Sequence, residues 1–179
     1  MPDLFAVTDV HYPPSGGARA ALILSHDSRF DSVVDERVAQ LDEVADYQPG
    51  RFYLRELPAL RAVLEGVTRL SLLIVDGYVD LEPDGRRPGL GAHCHEAFGM
   101  PVIGVAKTRF QPATHAVEVR RGAALRPLLV TAVGLDVVDA VDLVAKMSGP
   151  FRLPDAIKRV DALARGRDVP ISGAGTDRG

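Results

Sequence analysis

Two aspartates stand at the ends of the two apolar runs that are best suited to form central strands of a sheet. Asp9 closes the run at residues 4–9, and Asp76 closes the run at residues 70–76. A carboxylate at the tip of a buried strand is unfavourable to desolvate unless a cation or hydrogen bonds satisfy it. A third acid, Glu56, lies between the two runs, and carboxylate oxygens are the ligands that a hard cation prefers. The sequence therefore predicts a divalent-metal site built on strand ends.

The composition limits the class of protein. The 179 residues, 46% apolar and 25% charged, suffice for one domain with a substantial core. The net charge of -3 excludes a broadly basic surface, so any contact with nucleic acid must be local. Cys94 is the single cysteine, which rules out an intrachain disulfide. The first residues lack a signal-peptide pattern and no apolar run reaches the length of a membrane span, so we expect a cytoplasmic protein without a membrane partner.

The pattern of apolar residues predicts alternating strands and helices. Predicted strands cover residues 4–12, 18–26, 30–41, 70–77, 101–107, 115–121 and 126–131. Predicted helices cover residues 54–67, 92–99, 136–149 and 154–165. The first three strands are joined by short turns and read as an antiparallel meander. We expect one domain over residues 1–165, followed by a flexible, Gly-rich tail over residues 166–179.

This order of elements is typical of the ribonuclease H-like fold. In that α/β fold, a mixed sheet begins with an antiparallel three-strand meander, continues with alternating strands and helices, and is flanked by helices. The fold alone does not give a function, which must come from the site.

A series of short motifs follows along the chain. In order, they are Asp9 to Tyr12, Tyr47-Gln48-Pro49-Gly50, Arg55-Glu56, Val75-Asp76-Gly77, Arg86 to His93, Gly104-Val105-Ala106-Lys107 and Arg152-Leu153-Pro154. In type, order and spacing this series resembles the endonuclease V family, the deoxyinosine-cleaving repair nucleases. The resemblance spans residues 5–165 and rests on the joint occurrence of the motifs.

The resemblance implies a set of catalytic residues. Asp9, Glu56 and Asp76 would hold Mg²⁺, for which Mn²⁺ would substitute, and the metal would activate a water and neutralise charge on the phosphate. Lys107 would contact the scissile or a flanking phosphate. Asp161, ten residues into the segment RLPDAIKRVD, matches the position of a further family acid or His on the last helix.

The resemblance also implies a substrate-binding surface. Its predicted members are Tyr47, Gln48, Pro49, Gly50, Gly77, Gly89, Gly91 and His93. The loop at residues 47–50 would act as a wedge that fills the gap left by a rotated base. The three later glycines would let backbone groups approach a flat purine edge, because they carry no side chain.

One region departs from the family pattern next to the predicted site. The family's stretch with His residues is replaced by the longer segment 76–85, which has no His and carries Asp80, Glu82 and Asp84. The family's Pro-Gly-His-Arg after a late strand is replaced by residues 131–135. These changes predict weaker contacts with phosphates.

We therefore expect an Mg²⁺-dependent endonuclease that cleaves one nucleotide beyond a deaminated purine, on its 3′ side, in DNA. Its partner would be nucleic acid, without an obligate protein partner. Two alternatives remain open from the residues: an endoribonuclease acting on inosine in single-stranded RNA, and a nucleic-acid-binding module whose catalytic site has lapsed.

Overall fold

A computed structural model of the chain describes residues 2–167. Within that range the chain forms seven strands and four helices. The strands are β1 (Leu4–His11), β2 (Ala18–Ser25), β3 (Val33–Leu41), β4 (Leu70–Asp76), β5 (Val102–Ala106), β6 (Val117–Val119) and β7 (Leu128–Val133). The helices are α1 (Tyr53–Leu64), α2 (Leu90–Phe98), α3 (Val137–Lys146) and α4 (Asp155–Ala164). The predicted fold class, an α/β protein with a mixed sheet of the ribonuclease H-like kind, is confirmed.

The seven strands make one sheet in the order β3-β2-β1-β4-β5-β7-β6. The meander β1-β2-β3 is antiparallel, whereas β1, β4 and β5 run parallel, and β7 returns antiparallel between β5 and β6. Parallel strands bring their carboxyl ends to the same edge of a sheet. That edge, here named the carboxyl edge, is where Thr8 pairs with Val75 and Val75 pairs with Gly104.

Helices cover both faces of the sheet, and successive residues of the central strands are buried on opposite faces. Leu73 belongs to the core beneath α1 and α2, whereas its neighbour Ile74 belongs to the core beneath α3 and α4. Both side chains are almost fully buried. Burying an aliphatic side chain of this size contributes about 1.5–3 kcal/mol, so the central strands form a stiff support for the residues at their ends.

Several element boundaries differ from those predicted, among them those of the third strand, the sixth strand and the third helix. The third strand begins at Val33 rather than residue 30, because Phe30 adopts a left-handed φ of 62° in a turn that the Asp27 carboxylate closes by accepting three backbone N–H groups. The sixth strand is confined to Val117–Val119. The third helix ends at Lys146 and not near residue 149.

Within residues 2–167, no helix is both long and apolar enough to cross a membrane. The predicted tail over residues 166–179 lies outside the described residues from residue 168 onward. The domain boundary at residue 165 therefore stays a prediction.

Candidate active site

The carboxyl edge brings together charged residues from four elements. Asp9 follows the last parallel pair of β1, Asp76 ends β4, and Lys107 directly follows β5. The Nζ atom of Lys107 lies 3.2 Å from Oδ2 of Asp76 and 3.9 Å from Oδ1 of Asp161, which projects from α4. The structure thus places Lys107, Asp76 and Asp161 in one cluster.

Glu56 reaches this cluster from the first turn of α1. Burial raises the pKa of Glu56 to about 8, and the charges of Asp76 and Asp9 contribute to the rise. Burial likewise raises the pKa of Asp9 to about 7, and repulsion from the Asp76 carboxylate is the second-largest cause of the rise. Each of these two acids is close enough to sense the other carboxylates, so the three predicted metal ligands act as one electrostatic unit.

Asp161 behaves in the opposite way. Partial burial alone would raise the pKa of Asp161, but hydrogen bonds with Arg165 and Asp9 and the charge of Lys107 together hold it below its ordinary value. The Arg165 Nε atom lies 3.0 Å from Oδ1 and 3.2 Å from Oδ2 of Asp161. Asp161 therefore stays ionised and accepts a hydrogen bond from a protonated Asp9.

The chemistry of this donor set suits a divalent cation. Two carboxyl groups keep their protons to near neutral pH, first because burial disfavours their charged forms and second because the Asp76 carboxylate repels them, and a bound cation would oppose both effects. No group of three Asp, Glu, His or Cys side chains among residues 2–167 is already arranged to hold a metal ion. Ligation by these three acids would therefore require side-chain movement. The set Asp9, Glu56 and Asp76 stays a prediction that this chemistry fits.

Arg55 is a site residue that the sequence reasoning did not single out. Its guanidinium carbon lies 4.4 Å from the centre of the Tyr12 ring, and its positive charge lowers the pKa of Glu56, against the larger effect of burial. Nε of Arg55 and the hydroxyl of Tyr12 are both buried without a hydrogen-bond partner in the described chain. Its position directly before Glu56 in the matched motif was the signal that could have identified it.

A row of aromatic rings leads from the acids to solvent. Tyr12 and Phe52 make an edge contact at 6.0 Å between ring centres, and Phe52 and Tyr47 make another at 6.1 Å. Tyr47 is 62% exposed, as a ring that enters a duplex would need to be, and its wedge role stays a prediction. The loop has the type II turn pattern: the Arg51 N–H donates to the Gln48 carbonyl across Pro49 and Gly50, whose φ is 76°.

The three predicted pocket glycines have different surroundings. Gly77 has a φ of 125° and open space where a side chain would begin. A Cβ on Gly89 would lie 2.6 Å from the Tyr78 carbonyl oxygen, and one on Gly91 would lie 2.8 Å from Cα of Val79. At Gly89 and Gly91 the missing side chain leaves room for the protein's own backbone, and the predicted contact of both glycines with a purine edge stays a prediction.

Tyr78 is the second residue that the sequence reasoning missed. The side chain is buried, and its hydroxyl donates to the Thr108 carbonyl at 2.7 Å and accepts from the Phe110 N–H at 2.9 Å. Tyr78 thereby ties the divergent segment to the loop that follows Lys107. Further hydrogen bonds fix the segment to its surroundings: the Val79 N–H donates to the Thr131 hydroxyl, and the Leu81 N–H donates to the Arg87 carbonyl.

Within residues 2–167, no hydrogen bond, ion pair or ring contact joins His93 to the carboxylate cluster. Its ring stacks on that of Tyr53 with 3.6 Å between centres, and burial lowers its pKa. This contact joins α2 to α1, so the structure gives His93 a packing role. The predicted contact of His93 with substrate stays a prediction.

Known proteins resemble this chain in both sequence and fold. The sequence profile named Endonuclease V matches residues 2–138. The endonuclease V of Streptomyces avermitilis is 30% identical over 189 aligned positions, which cover 86% of this chain and 81% of that protein.

Solved structures agree. The crystal structure of an endonuclease V from Streptomyces avermitilis superposes with a TM-score of 0.76 at 26% identity and covers 92% of this chain and 81% of its own. A Ciona intestinalis endonuclease V in complex with a 23mer DNA containing an inosine followed by a ribo-adenosine has a TM-score of 0.72 at 17% identity, over 92% of this chain and 84% of its own. The chain therefore belongs to the endonuclease V family, whose members are metal-dependent nucleases.

Proposed function

We propose that this protein is an Mg²⁺-dependent endonuclease whose nuclease domain covers residues 1–165. It hydrolyses the phosphodiester one nucleotide beyond a deoxyinosine, on the 3′ side, in DNA. The observation that carries the proposal is the cluster at the carboxyl edge, where Lys107 lies 3.2 Å from Asp76 and the buried carboxyl groups of Asp9 and Glu56 are near enough to Asp76 for its charge to raise their pKa values. Acids that share a buried site beside a cationic side chain suit metal-assisted attack on a phosphate.

Asp9, Glu56 and Asp76 would hold the cation, with Mn²⁺ able to replace Mg²⁺. Such a cation lowers the pKa of a bound water and neutralises charge on the phosphate and the leaving oxygen. Asp9 and Glu56 must lose their protons for this role, so metal binding releases protons near neutral pH.

Two further side chains, Lys107 and Asp161, support the reaction in different ways. Once Asp76 is engaged elsewhere, the Lys107 ammonium is free to donate to a phosphate oxygen and to stabilise its developing charge. Asp161 is held ionised by Arg165 and Lys107, so it is a weak base at neutral pH. Its role is to accept a hydrogen bond and orient a water or a metal ligand rather than to remove a proton.

The aromatic row supports recognition of a base-modified strand. Tyr47 is exposed, and Phe52 supports its ring from one side. A ring in this position can stack in the gap that a rotated base leaves in a duplex. Tyr47, Gln48, Pro49 and Gly50 would form this wedge, and the open space at Gly77 would belong to the base pocket.

A cleavage assay tests the proposal. The substrates are a labelled duplex with one deoxyinosine, the same duplex without it, and a single-stranded RNA with one inosine, each with Mg²⁺, Mn²⁺ or EDTA. We expect a product cut one nucleotide beyond deoxyinosine with either metal and none with EDTA. Asp76→Asn should abolish cleavage and keep the fold, whereas Asp142→Asn, a surface acid on α3 paired with Lys146, should cleave normally.

The other outcomes have clear meanings. Cleavage of the inosine RNA alone would replace the proposal with an endoribonuclease. Binding of deoxyinosine DNA without cleavage of any substrate would indicate a nucleic-acid-binding module. Normal cleavage by Asp76→Asn would show that the assigned mechanism is wrong.

A further inference from the structure

A basic groove opens at the carboxyl edge beside the carboxylate cluster. It has a volume of about 360 Å³ and runs between the loop after β5 and the first residues of β7. Four of its lining residues are cationic: Lys107, Arg109, Arg126 and Arg152. The proposed reaction uses only Lys107 of these four, and this group of cations is unusual in a chain whose net charge is -3.

The groove is held open by hydrogen bonds between its walls. β5 and β7 pair antiparallel, with Ala106 opposite Leu129. From a third segment, the Arg152 guanidinium donates to the carbonyls of Arg126 and Pro127 at 3.0 Å each, and also to the carbonyl of Lys107. One arginine therefore fixes both walls, and the concave shape does not depend on a ligand.

Within the described part of the chain, only some of the cationic side chains in the groove have an acidic partner. Lys107 contacts Asp76, and Arg109 forms an ion pair with Glu118. The Arg126 guanidinium makes no hydrogen bond or ion pair with any residue in the described range 2–167, and its side chain is exposed. No acidic residue lines the groove. Four cations around one concave surface repel one another, and an anion with several acceptor oxygens would remove that repulsion.

We propose that this groove binds a backbone phosphate of the substrate strand, next to the scissile phosphate, with Arg126 as its free contact. The inference rests on the proposed function. Lys107 lines both the groove and the carboxylate cluster, so a strand whose scissile phosphate lies at the cluster continues directly into the groove. The strand then crosses the carboxyl edge from the β1 side, where Phe52 contacts Tyr12, toward β7.

Binding measurements without cleavage test this contact. A fluorescent deoxyinosine oligonucleotide is titrated in EDTA at several salt concentrations with wild type, Arg126→Gln and Arg29→Gln. Arg29 is the matched control. It is an exposed arginine in the turn between β2 and β3, the two strands on the side of the sheet away from β7. Arg126→Gln should make the slope of log K against log[salt] shallower by about 0.7–0.9, the contribution of one phosphate, and Arg29→Gln should leave the slope unchanged.

A second measurement locates the phosphate. Each phosphate near the lesion is replaced in turn by an uncharged methylphosphonate. At one position beside the scissile bond, the replacement should weaken binding by wild type and leave binding by Arg126→Gln unaffected. Equal slopes for Arg126→Gln and Arg29→Gln, or the absence of any such position, would overturn the groove assignment while leaving the nuclease proposal intact. If the wild type binds none of the oligonucleotides, the proposed function and this inference both fail.

Discussion

The Nζ atom of Lys107 lies 3.2 Å from Oδ2 of Asp76, so the ammonium contacts a carboxylate that would also bind the metal cation. Its charge also lowers the pKa of Asp9 and of Asp161, against the effect of burial. Lys107 thus compensates part of the negative charge of the cluster in the metal-free protein. When substrate and metal are bound, the same ammonium is available to the phosphate.

Replacing Lys107 with Gln should slow cleavage without impairing metal binding. Loss of one stabilising donor at developing charge lowers a rate by about 10²–10³-fold. The Mg²⁺ concentration for half-maximal rate should not rise, since a competitor for Asp76 has been removed. Single-turnover rates across a Mg²⁺ titration measure both quantities, and Lys146→Gln on α3 is the control. A higher Mg²⁺ requirement for Lys107→Gln would contradict this role.

The stability of the metal-free protein should fall as pH rises. Folding raises the pKa of Asp9 from its ordinary 3.8 to about 7 and that of Glu56 from 4.5 to about 8, so the folded state binds more protons than the unfolded state between these values. Stability from this source is complete below about pH 4 and is lost as pH rises toward 8. Asp9→Asn and Glu56→Gln should therefore melt at a higher temperature than wild type at pH 8 in EDTA, by about 2–4 °C per kcal/mol recovered.

The comparison must be made between variant and wild type at each pH. Asp27 and Asp161 have lowered pKa values, so their contribution has the opposite sign, but both are ionised in the folded and unfolded states above about pH 5 and do not affect the comparison there. The variant advantage should shrink at pH 5. Mg²⁺ at pH 8 should raise the melting temperature of wild type more than that of either variant. A variant that melts lower than wild type at pH 8 in EDTA would refute the proposed repulsion.

Tyr47→Ala should weaken binding to a deoxyinosine duplex more than binding to the same strand alone. Only the duplex has a gap to fill, and stacking of one base on an aromatic ring contributes about 1–3 kcal/mol. The duplex affinity should drop about tenfold, with a smaller loss for Phe52→Ala, whose ring supports Tyr47. Val138→Ala, an exposed apolar residue on α3, is the control. Equal losses for duplex and single strand would argue against the wedge.

Tyr78→Phe should reduce both stability and rate. The change removes the hydroxyl that accepts from Phe110 N–H and donates to Thr108, and a buried group without its partner costs about 1–3 kcal/mol. The melting temperature should fall by several degrees, and cleavage should slow because the loop after Lys107 is no longer fixed. Tyr53→Phe on α1 is a control for loss of a hydroxyl. A normal melting temperature and rate would mean that the link is dispensable.

The sequence predicted the parts of the site that depend on strand direction. Asp9 and Asp76 meet because β1 and β4 are parallel, and Lys107 joins them because β5 continues that arrangement. Hydrophobic runs with a polar residue at the end carry this information locally. The fold class followed from the same runs.

Features that depend on distant pairs could not be predicted in this way. The groove exists because β7 returns beside β5 and Arg152 crosses both, which brings residues 107, 126 and 152 together. The sequence likewise does not reveal that Tyr78 and Val79 lie against Gly89 and Gly91. Tyr78 itself stood in a segment identified only by its departure from the family pattern.

Binding of the wild-type protein to duplex DNA should depend only weakly on salt. Many of its arginines are already paired with the protein's own acids, so each phosphate contact replaces an internal ion pair and releases fewer counterions. Such pairs include Arg37–Asp35, Arg86–Asp84, Arg109–Glu118, Arg159–Glu36 and Arg165–Asp161. The slope of log K against log[salt] should be no steeper than about -5, which corresponds to about five or six phosphates.

Freeing one of these arginines gives the prediction its sharpest form. Glu118→Gln removes the acid that pairs with Arg109 at the basic groove, so one more cation becomes available to a phosphate. The slope should steepen by up to about 0.9, and affinity at low salt should rise. Asp142→Asn removes the same charge on α3, away from the groove, and should leave the slope unchanged. A wild-type slope well beyond -5 would contradict this prediction, and so would equal slopes for Glu118→Gln and Asp142→Asn. In either case the internal pairs would not be what limits phosphate binding, and the acidic segment 76–85 would have no consequence for affinity.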